Sequence, residues 1–256
     1  MQPLIYEPGA IARIIFNRPE VLNAIDAATA SAFLEACRAI AADEAVRVVV
    51  LRGAGRGFVA GGDLALFRSD PLSIPKALIQ PLHDGLLLLT QLRAPVIASV
   101  HGAVAGAGMS LAAACDLVIA SDDARFKLAY SSIGVSSDLG ASWTLPRLVG
   151  LRHALQIALV DEPIDATTAL RLGLVNYVVP GAELAARTDQ LAARLAAAPP
   201  LALGEMKRLM RDSSERDFSS QLDAEREAFG RCCKSEDFGE AVSAFFEKRP
   251  GRYVGR

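Results

Sequence analysis

The 256-residue sequence has no excess of either charge: 27 basic residues against 29 acidic ones leave a formal net charge of −2. Without a strong field the chain has no global attraction for nucleic acid or an anionic membrane, and neither is expected as a partner. Cysteine is scarce. Cys37, Cys115, Cys232 and Cys233 show no zinc-ligand spacing, so they read as reduced thiols of a cytoplasmic protein and no metal is expected. No apolar run reaches the ~18 residues of a membrane span; the most apolar stretches, 85–89 and 103–115, are shorter. The start, Met1-Gln2-Pro3-Leu4-Ile5-Tyr6-Glu7, lacks the charged-then-apolar layout of a signal peptide, so secretion is not expected. Tandem repeats and low-complexity linkers are also missing. What the chain does have is apolar mass, 52% hydrophobic against 22% charged, which suffices for a core and is too apolar for disorder. At roughly 150 residues per domain, the length allows one large domain or a domain with an appendage.

Short β-branched runs alternate with helical periods. Residues 11–16 read as a strand stopped by Asn17-Arg18-Pro19. Asp26 caps a helix whose Ala30, Phe33, Leu34, Cys37, Ile40 and Ala41 keep the i, i+3, i+4, i+7 spacing. A buried strand is read at 46–51, a glycine-rich loop at 53–62, and a long helix at 73–92. Pro95 precedes a strand at 96–100; a small-residue helix covers 108–114, and strands follow at 117–120 and 175–179. This alternation predicts an α/β fold with mostly parallel pairing. Composition changes after Pro199-Pro200, dividing a core at 1–198 from a helical region at 199–256. Three helices are expected after the last strand. Phe218, Leu222 and Phe229 share one face, and Phe238, Val242 and Phe245 mark a final helix capped by Ser235. Those helices either cover the core or pack against another subunit.

Two glycine-rich loops stand out: Gly57-Phe58-Val59-Ala60-Gly61-Gly62-Asp63-Leu64 and Val100-His101-Gly102-Ala103-Val104-Ala105-Gly106-Ala107-Gly108-Met109. Each follows a strand and leads into a helix. Small residues let a ligand approach the backbone, and a helix start offers unpaired N–H donors at the positive end of its dipole. Two such loops facing each other can aim two N–H groups at one oxygen, the geometry of an oxyanion hole. The competing reading is that the glycines serve only tight turns and close packing. A dinucleotide site fits less well, since the second loop has no clean G-x-G-x-x-G pattern.

In these residues the sequence resembles the crotonase, or enoyl-CoA hydratase/isomerase, superfamily. The markers are Asn17-Arg18-Pro19 with Leu22-Asn23-Ala24, Phe58-Val59-Ala60-Gly61-Gly62-Asp63, and His101-Gly102 through Gly108. Cys115-Asp116, Leu145-Pro146-Arg147-Leu148-Val149-Gly150, Ala169-Leu170-Arg171-Leu172-Gly173-Leu174-Val175 and the C-terminal Phe245-Phe246-Glu247-Lys248-Arg249-Pro250 complete the set. The resemblance implies a crotonase-like spiral of ββα units with a C-terminal helical trimerisation region, assembled as a homotrimer or a dimer of trimers. It implies an acyl-CoA thioester as substrate, a place in fatty acid metabolism, and no cofactor, coenzyme A being part of the substrate. By motif, the thioester oxygen falls to the N–H groups of Gly62 and Ala107. The adenine end of CoA lies near Ala24 and the segment carrying Ala60, Asp63 and Leu64, and Phe245 and Lys248 match positions that cover or bind CoA, often across a subunit contact. Read without the resemblance, Lys248 is a solvated C-terminal lysine.

Two glutamates activate water in the hydratases of this family. At those positions this sequence has Ser110 and Tyr130, whose ordinary pKa values of about 10 or higher make neither a ready base. One carboxylate does fall at an active-site position, Asp138 in Gly134-Val135-Ser136-Ser137-Asp138-Leu139-Gly140. This stretch resembles the branch of phenylacetate-pathway and dienoyl-CoA isomerases, where an aspartate here moves protons. By itself Ser-Ser-Asp is also a good helix start, with Ser137 or Asp138 as cap. The expected activity is a double-bond shift: Asp138 takes a proton from the carbon beside the thioester and returns it two carbons further along, while the oxyanion hole stabilises the enolate. The alternatives are hydration with atypical water activation, a nucleophilic Asp138 as in the aroyl-CoA dehalogenase branch (which has tryptophan where Tyr130 stands), and a catalytically idle acyl-CoA binder. Tyr130 either donates a hydrogen bond to Asp138 or lines the acyl pocket, which the helix carrying His83 borders. His101 is expected to pack or hydrogen-bond locally, Asp63 to cap a helix, and Asp116 to be structural.

Overall fold

A computed structural model describes residues 2–256. Nine strands and ten α-helices are assigned within them. In chain order they are β1 (Leu4–Glu7), β2 (Ile11–Phe16), α1 (Ala27–Ala42), β3 (Val48–Gly53), α2 (Leu64–Ser69), α3 (Gln80–Gln91), β4 (Val96–Val100), β5 (Ala103–Ala105), α4 (Ala107–Ala114), β6 (Leu117–Ser121), β7 (Arg125–Lys127), α5 (Ala141–Val160), β8 (Ile164–Asp165), α6 (Ala166–Leu172), β9 (Tyr177–Val179), α7 (Leu184–Ala196), α8 (Pro200–Asp212), α9 (Phe218–Cys233) and α10 (Glu236–Glu247).

The larger sheet has the order β1-β2-β3-β4-β6-β9. Only the β1–β2 pair is antiparallel. Its central strands are covered on both sides, which is why they read as mostly apolar runs. Val49 and Leu51 of β3 join the main core with Phe16 and Phe33, while Val48 and Val50 face Leu184, Leu191 and Ala192 of α7.

A second, smaller sheet is built one short strand at a time. Ile25 bridges to Gly62, Val59 bridges to Val104, and β5 pairs with β7 and through it β8. The chain therefore winds as a spiral. Each turn gives a strand to the large sheet, a short extended piece to the small one, and then a helix. The two glycine-rich loops are the small-sheet pieces of successive turns, and this stacking sets them side by side.

Several boundaries differ from the sequence reading, each for a local reason. The strand expected from residue 46 begins at Val48, because the Val46 N–H turns back to the Asp43 carbonyl. The helix expected at 73–92 opens with a π-helical turn, Pro75–Ile79, in which the Gln80 N–H reaches the Pro75 carbonyl; Pro81, with no N–H, follows in α3. Only Tyr177–Val179 of 175–179 pairs as a strand, since Val175 is still tied to the Ala169 carbonyl at the end of α6. Ala41 is exposed, and Ala36 takes its place on the buried face of α1. β1 and the very short β5, β7 and β8 were not expected at all. Four helices, not three, follow the last strand, and the first of them, α7, packs on the large sheet.

α8 docks through Lys207, whose ammonium donates to the carbonyls of Leu89 (3.3 Å) and Ala94 (3.0 Å). All four cysteines are unpaired, and no helix among the described residues is long and apolar enough to cross a membrane.

Candidate active site

The first loop is fixed by Asn23. This buried side chain donates from Nδ2 towards the carbonyls of Ala54 (2.8 Å), Gly57 (2.9 Å) and Phe58 (3.0 Å), and its Oδ1 accepts from the Arg18 N–H (2.8 Å). Arg18 ties the same frame together: its guanidinium donates to the Ala24 carbonyl (2.6 Å) and pairs with Asp63 (3.0 Å) and Asp26 (3.3 Å). The Ala60 N–H bonds the Leu22 carbonyl at 3.0 Å. Asp63 accepts from the Ala65 N–H (3.0 Å), capping α2, which begins at Leu64. Ala24, Ala60, Asp63 and Leu64 thus stand on one rigid ledge. Arg18 and Asn23 are its organisers, and the sequence offered them only as parts of the motifs Asn17-Arg18-Pro19 and Leu22-Asn23-Ala24.

The second loop lies directly against the first. The Ala105 N–H donates to the Val59 carbonyl at 2.9 Å. A Cβ on Gly106 would stand 3.2 Å from the Gly61 Cα, and one on Gly108 would stand 2.1 Å from the Val59 carbonyl oxygen, so α4 reaches this position only with glycine there. Gly106 turns the chain into α4 at φ 51°, a left-handed value that favours glycine. Just past the Gly61–Gly106 contact come Gly62 and Ala107. Their N–H groups find no acceptor among the described residues, and Ala107 opens a helix whose eight residues are all buried.

Ser110, one turn further along α4, is fully buried. Its Oγ lies 2.9 Å from the Tyr130 hydroxyl, which in turn donates to Asp138 Oδ1. With the phenol proton committed to the carboxylate, Ser110 supplies the proton of the 2.9 Å bond. The two positions where the hydratases carry glutamates are therefore wired into the one acid that remains. Burial, and then the neighbouring carboxylate, push the Tyr130 phenol up, so it stays a donor. Burial also raises Asp138 above the ordinary aspartate value, against a smaller downward pull from the Tyr130 hydrogen bond. No other residue hydrogen-bonds Asp138 Oδ2 among the described residues, and the side chain is only partly buried.

The capping reading of Ser137 or Asp138 does not survive the geometry. The N-cap of α5 is Gly140 at φ 74°, and only the main-chain carbonyl of Asp138 takes part, accepting from Ala141 at 3.1 Å. His83 accepts the Leu139 N–H at Nε2 (3.1 Å), which places its own proton on Nδ1 and pins the loop behind Asp138. His83, Leu139, Gly140 and Trp143 form one wall of a cavity of about 880 Å3 that extends to Arg208 of α8.

The remaining residues singled out by sequence lie elsewhere. His101 bonds the Gly55 carbonyl at 2.9 Å. Asp116 accepts from the Val96 N–H (2.8 Å) and pairs with Lys207 (2.8 Å) and Arg211 (2.6 Å), a structural knot between β4 and α8. Phe245 is 78% exposed on α10, and no hydrogen bond or ion pair among the described residues joins it or Lys248 to the loops. No group of three metal-ligating side chains occurs among the described residues.

Two glycine loops that leave N–H groups without an acceptor, one of them at the start of the helix that carries Ser110, match the geometry an oxyanion-stabilising site requires. The comparisons identify its lineage. The Enoyl-CoA hydratase/isomerase family profile matches residues 7–256. A Rhodobacter capsulatus protein named "Probable enoyl-CoA hydratase" is 38% identical over 246 residues, covering 96% of this chain and 95% of that one. The 1,2-epoxyphenylacetyl-CoA isomerase of Escherichia coli K12 is 35% identical over 250 residues, with the same coverage of 96% and 95%. The crystal structure of an enoyl-CoA hydratase from Polaromonas sp. JS666 superposes with a TM-score of 0.91 at 35% identity, covering 98% of this chain and 99% of that one. The chain belongs to the Enoyl-CoA hydratase/isomerase family of enzymes and has its crotonase-like fold.

Proposed function

We propose that this chain shifts a double bond in an enoyl-CoA by carrying one proton on Asp138. What supports the reading is a single arrangement: both positions that hold glutamates in the hydratases are hydroxyls, and they form one chain, Ser110 to Tyr130 to Asp138, that engages only Oδ1 of the carboxylate. The thioester oxygen is held by the N–H groups of Gly62 and Ala107, at the positive end of α4. Asp138 Oδ2 removes the proton from the carbon beside the carbonyl. The electron pair moves onto the thioester oxygen, and the conjugated enolate takes the same proton back two carbons further along. Substrate and product have the same composition, and no water or cofactor is consumed. CoA lies along the ledge of Ala24, Ala60, Asp63 and Leu64.

A panel of 2-enoyl-, 3-enoyl- and dienoyl-CoA thioesters tests this. Interconversion of 3-enoyl and 2-enoyl forms without water addition is expected. Efficient hydration of the 2-enoyl-CoA alone would mean a hydratase, and binding without turnover an idle family member.

The pH dependence follows from the environment of Asp138. The base must be ionised, and burial raises its pKa, so the acid limb of kcat/KM is expected at higher pH than an ordinary aspartate would give. The Tyr130 hydrogen bond stabilises the ionised form. Tyr130→Phe should therefore move that limb to still higher pH, and a limb that stays in place or moves down would contradict the assignment.

The assembly proposed with this function is a homotrimer or a dimer of trimers. Phe218, Phe229, Phe245 and Phe246 of α9 and α10, and Leu151 and Leu159 of α5, stand exposed on one chain. Apolar surface of this extent marks an interface. Sedimentation at micromolar concentration is expected to show a multiple of the 27.1 kDa chain, and a sole species at that mass would rule the assembly out.

A further inference from the structure

The segment that carries Tyr130 is held by an acid the proposed chemistry does not use. Asp161 directly follows α5 and sits in the left-handed region at φ 56°; Ala129, just before Tyr130, is left-handed too at φ 62°. The two strained residues face each other, and the Ala129 N–H donates to Asp161 Oδ1 at 2.7 Å. The Asp161 side chain is only 8% exposed, with Oδ2 3.5 Å from the Lys127 ammonium and without a hydrogen bond of its own. A buried carboxylate at the C-terminal end of a helix opposes the helix dipole, and a left-handed alanine persists only where its surroundings impose it. The Lys127 ammonium offsets part of the first cost, and the hydrogen bond from the Ala129 N–H meets both.

That bond is placed where it controls the site. α5 is broken at Gly150 (φ 74°, ψ 157°), so its two limbs change direction. The residue just before the first limb's loop, Asp138, receives the Tyr130 hydroxyl, and the residue just after the second limb, Asp161, receives the Ala129 N–H. The same segment takes the Gly106 N–H on the Lys127 carbonyl at 3.0 Å, one residue before Ala107. We propose that Asp161 is a positioning residue: by holding the left-handed turn at Ala129 it aims the Tyr130 hydroxyl at Asp138. The proposal rests on the reading that Asp138 carries the proton.

Two substitutions isolate the bond. Asp161→Asn keeps an oxygen acceptor and tolerates the left-handed backbone. Asp161→Gly removes the acceptor while relieving the backbone, so it should fold. Both lose the charge opposite Lys127, and their difference reports the Ala129 hydrogen bond alone. In 3-enoyl-CoA isomerisation, Asp161→Gly should lower kcat by ~10-fold relative to Asp161→Asn, with KM within about twofold, because a displaced catalytic geometry slows chemistry more than binding. In a Tyr130→Phe background the ratio should fall to about one. An equal loss in both backgrounds, or no difference between the two variants, overturns the proposal.

A second readout does not depend on turnover. With fluorotyrosine incorporated, the 19F resonance absent from Tyr130→Phe should shift in Asp161→Gly and stay near the parent position in Asp161→Asn. If the parent enzyme isomerises nothing, the functional reading fails, and this resonance still decides whether Asp161 positions Tyr130. An unmoved resonance in Asp161→Gly rejects the positioning role even in an active enzyme.

Discussion

Asp138→Asn is expected to bind acyl-CoA normally and to lose 3-enoyl-CoA isomerisation by a factor of ~10² or more. The substitution removes the ionisable group and little else. Asparagine keeps an oxygen for the Tyr130 hydroxyl, the main-chain bond from Ala141 is untouched, and the cap of α5 is Gly140. Solvent deuterium should enter the substrate at the carbon beside the thioester in the parent enzyme and not in the variant. Stability should move the other way. Burial raises Asp138, so the folded state holds this proton more tightly than the unfolded chain, and folding loses stability as pH rises from the ordinary carboxylate pKa to the raised one. Above that window the neutral asparagine avoids the loss, so the variant should melt no lower than the parent at neutral pH. Near-normal turnover by a well-folded Asp138→Asn enzyme would sink the proton-carrier mechanism and leave hydration or idle binding.

Ala107→Pro is expected to lower turnover by ~10²–10³ with the fold intact, the loss typical when one oxyanion donor is removed. Ala107 is the first residue of α4, and proline is accepted there because that N–H has no partner within the helix. Gly62→Pro removes the other donor and should also abolish activity. It is the less clean experiment, since even a Cβ on Gly62 would stand 2.6 Å from the Phe67 ring. If folded Ala107→Pro enzyme keeps full kcat, the oxyanion assignment is wrong, whatever Gly62→Pro does.

Part of the site was legible before the fold. The two glycine loops could be read as N–H donors because glycine next to a helix start has a narrow set of physical uses, whereas Asp138 stood out only through the resemblance, which places the hydratases' glutamates at Ser110 and Tyr130. The bond from Tyr130 to Asp138 was one of two readings of that residue, but the share of Ser110 was not legible. Tyr130 and Ser110 lie 20 positions apart, and only the packing of α4 against the 127–130 segment brings their oxygens within hydrogen-bond reach. The capping motif at Ser137-Asp138 misled for the same reason: local preference favours a cap, but a buried phenol offers the carboxylate a partner that the helix start does not. Asn23, His83 and Asp161 act on backbone groups remote in sequence, and no local spacing announces such contacts.

The sequence by itself determined the elements that depend on nearest neighbours: β2 and β4, mostly apolar runs, with β4 buried throughout; α1, with its Asp26 cap and apolar stripe; α10, capped by Ser235. The tertiary structure alone decided the two- and three-residue strands β5, β7 and β8. Pieces that short have no periodicity to read and exist because neighbouring turns of the spiral supply their hydrogen-bond partners. Those pieces set the two loops edge to edge and bring Tyr130 to Asp138. The chain carries the chemical groups in its sequence, and their convergence comes from the stacking of one spiral turn on the next.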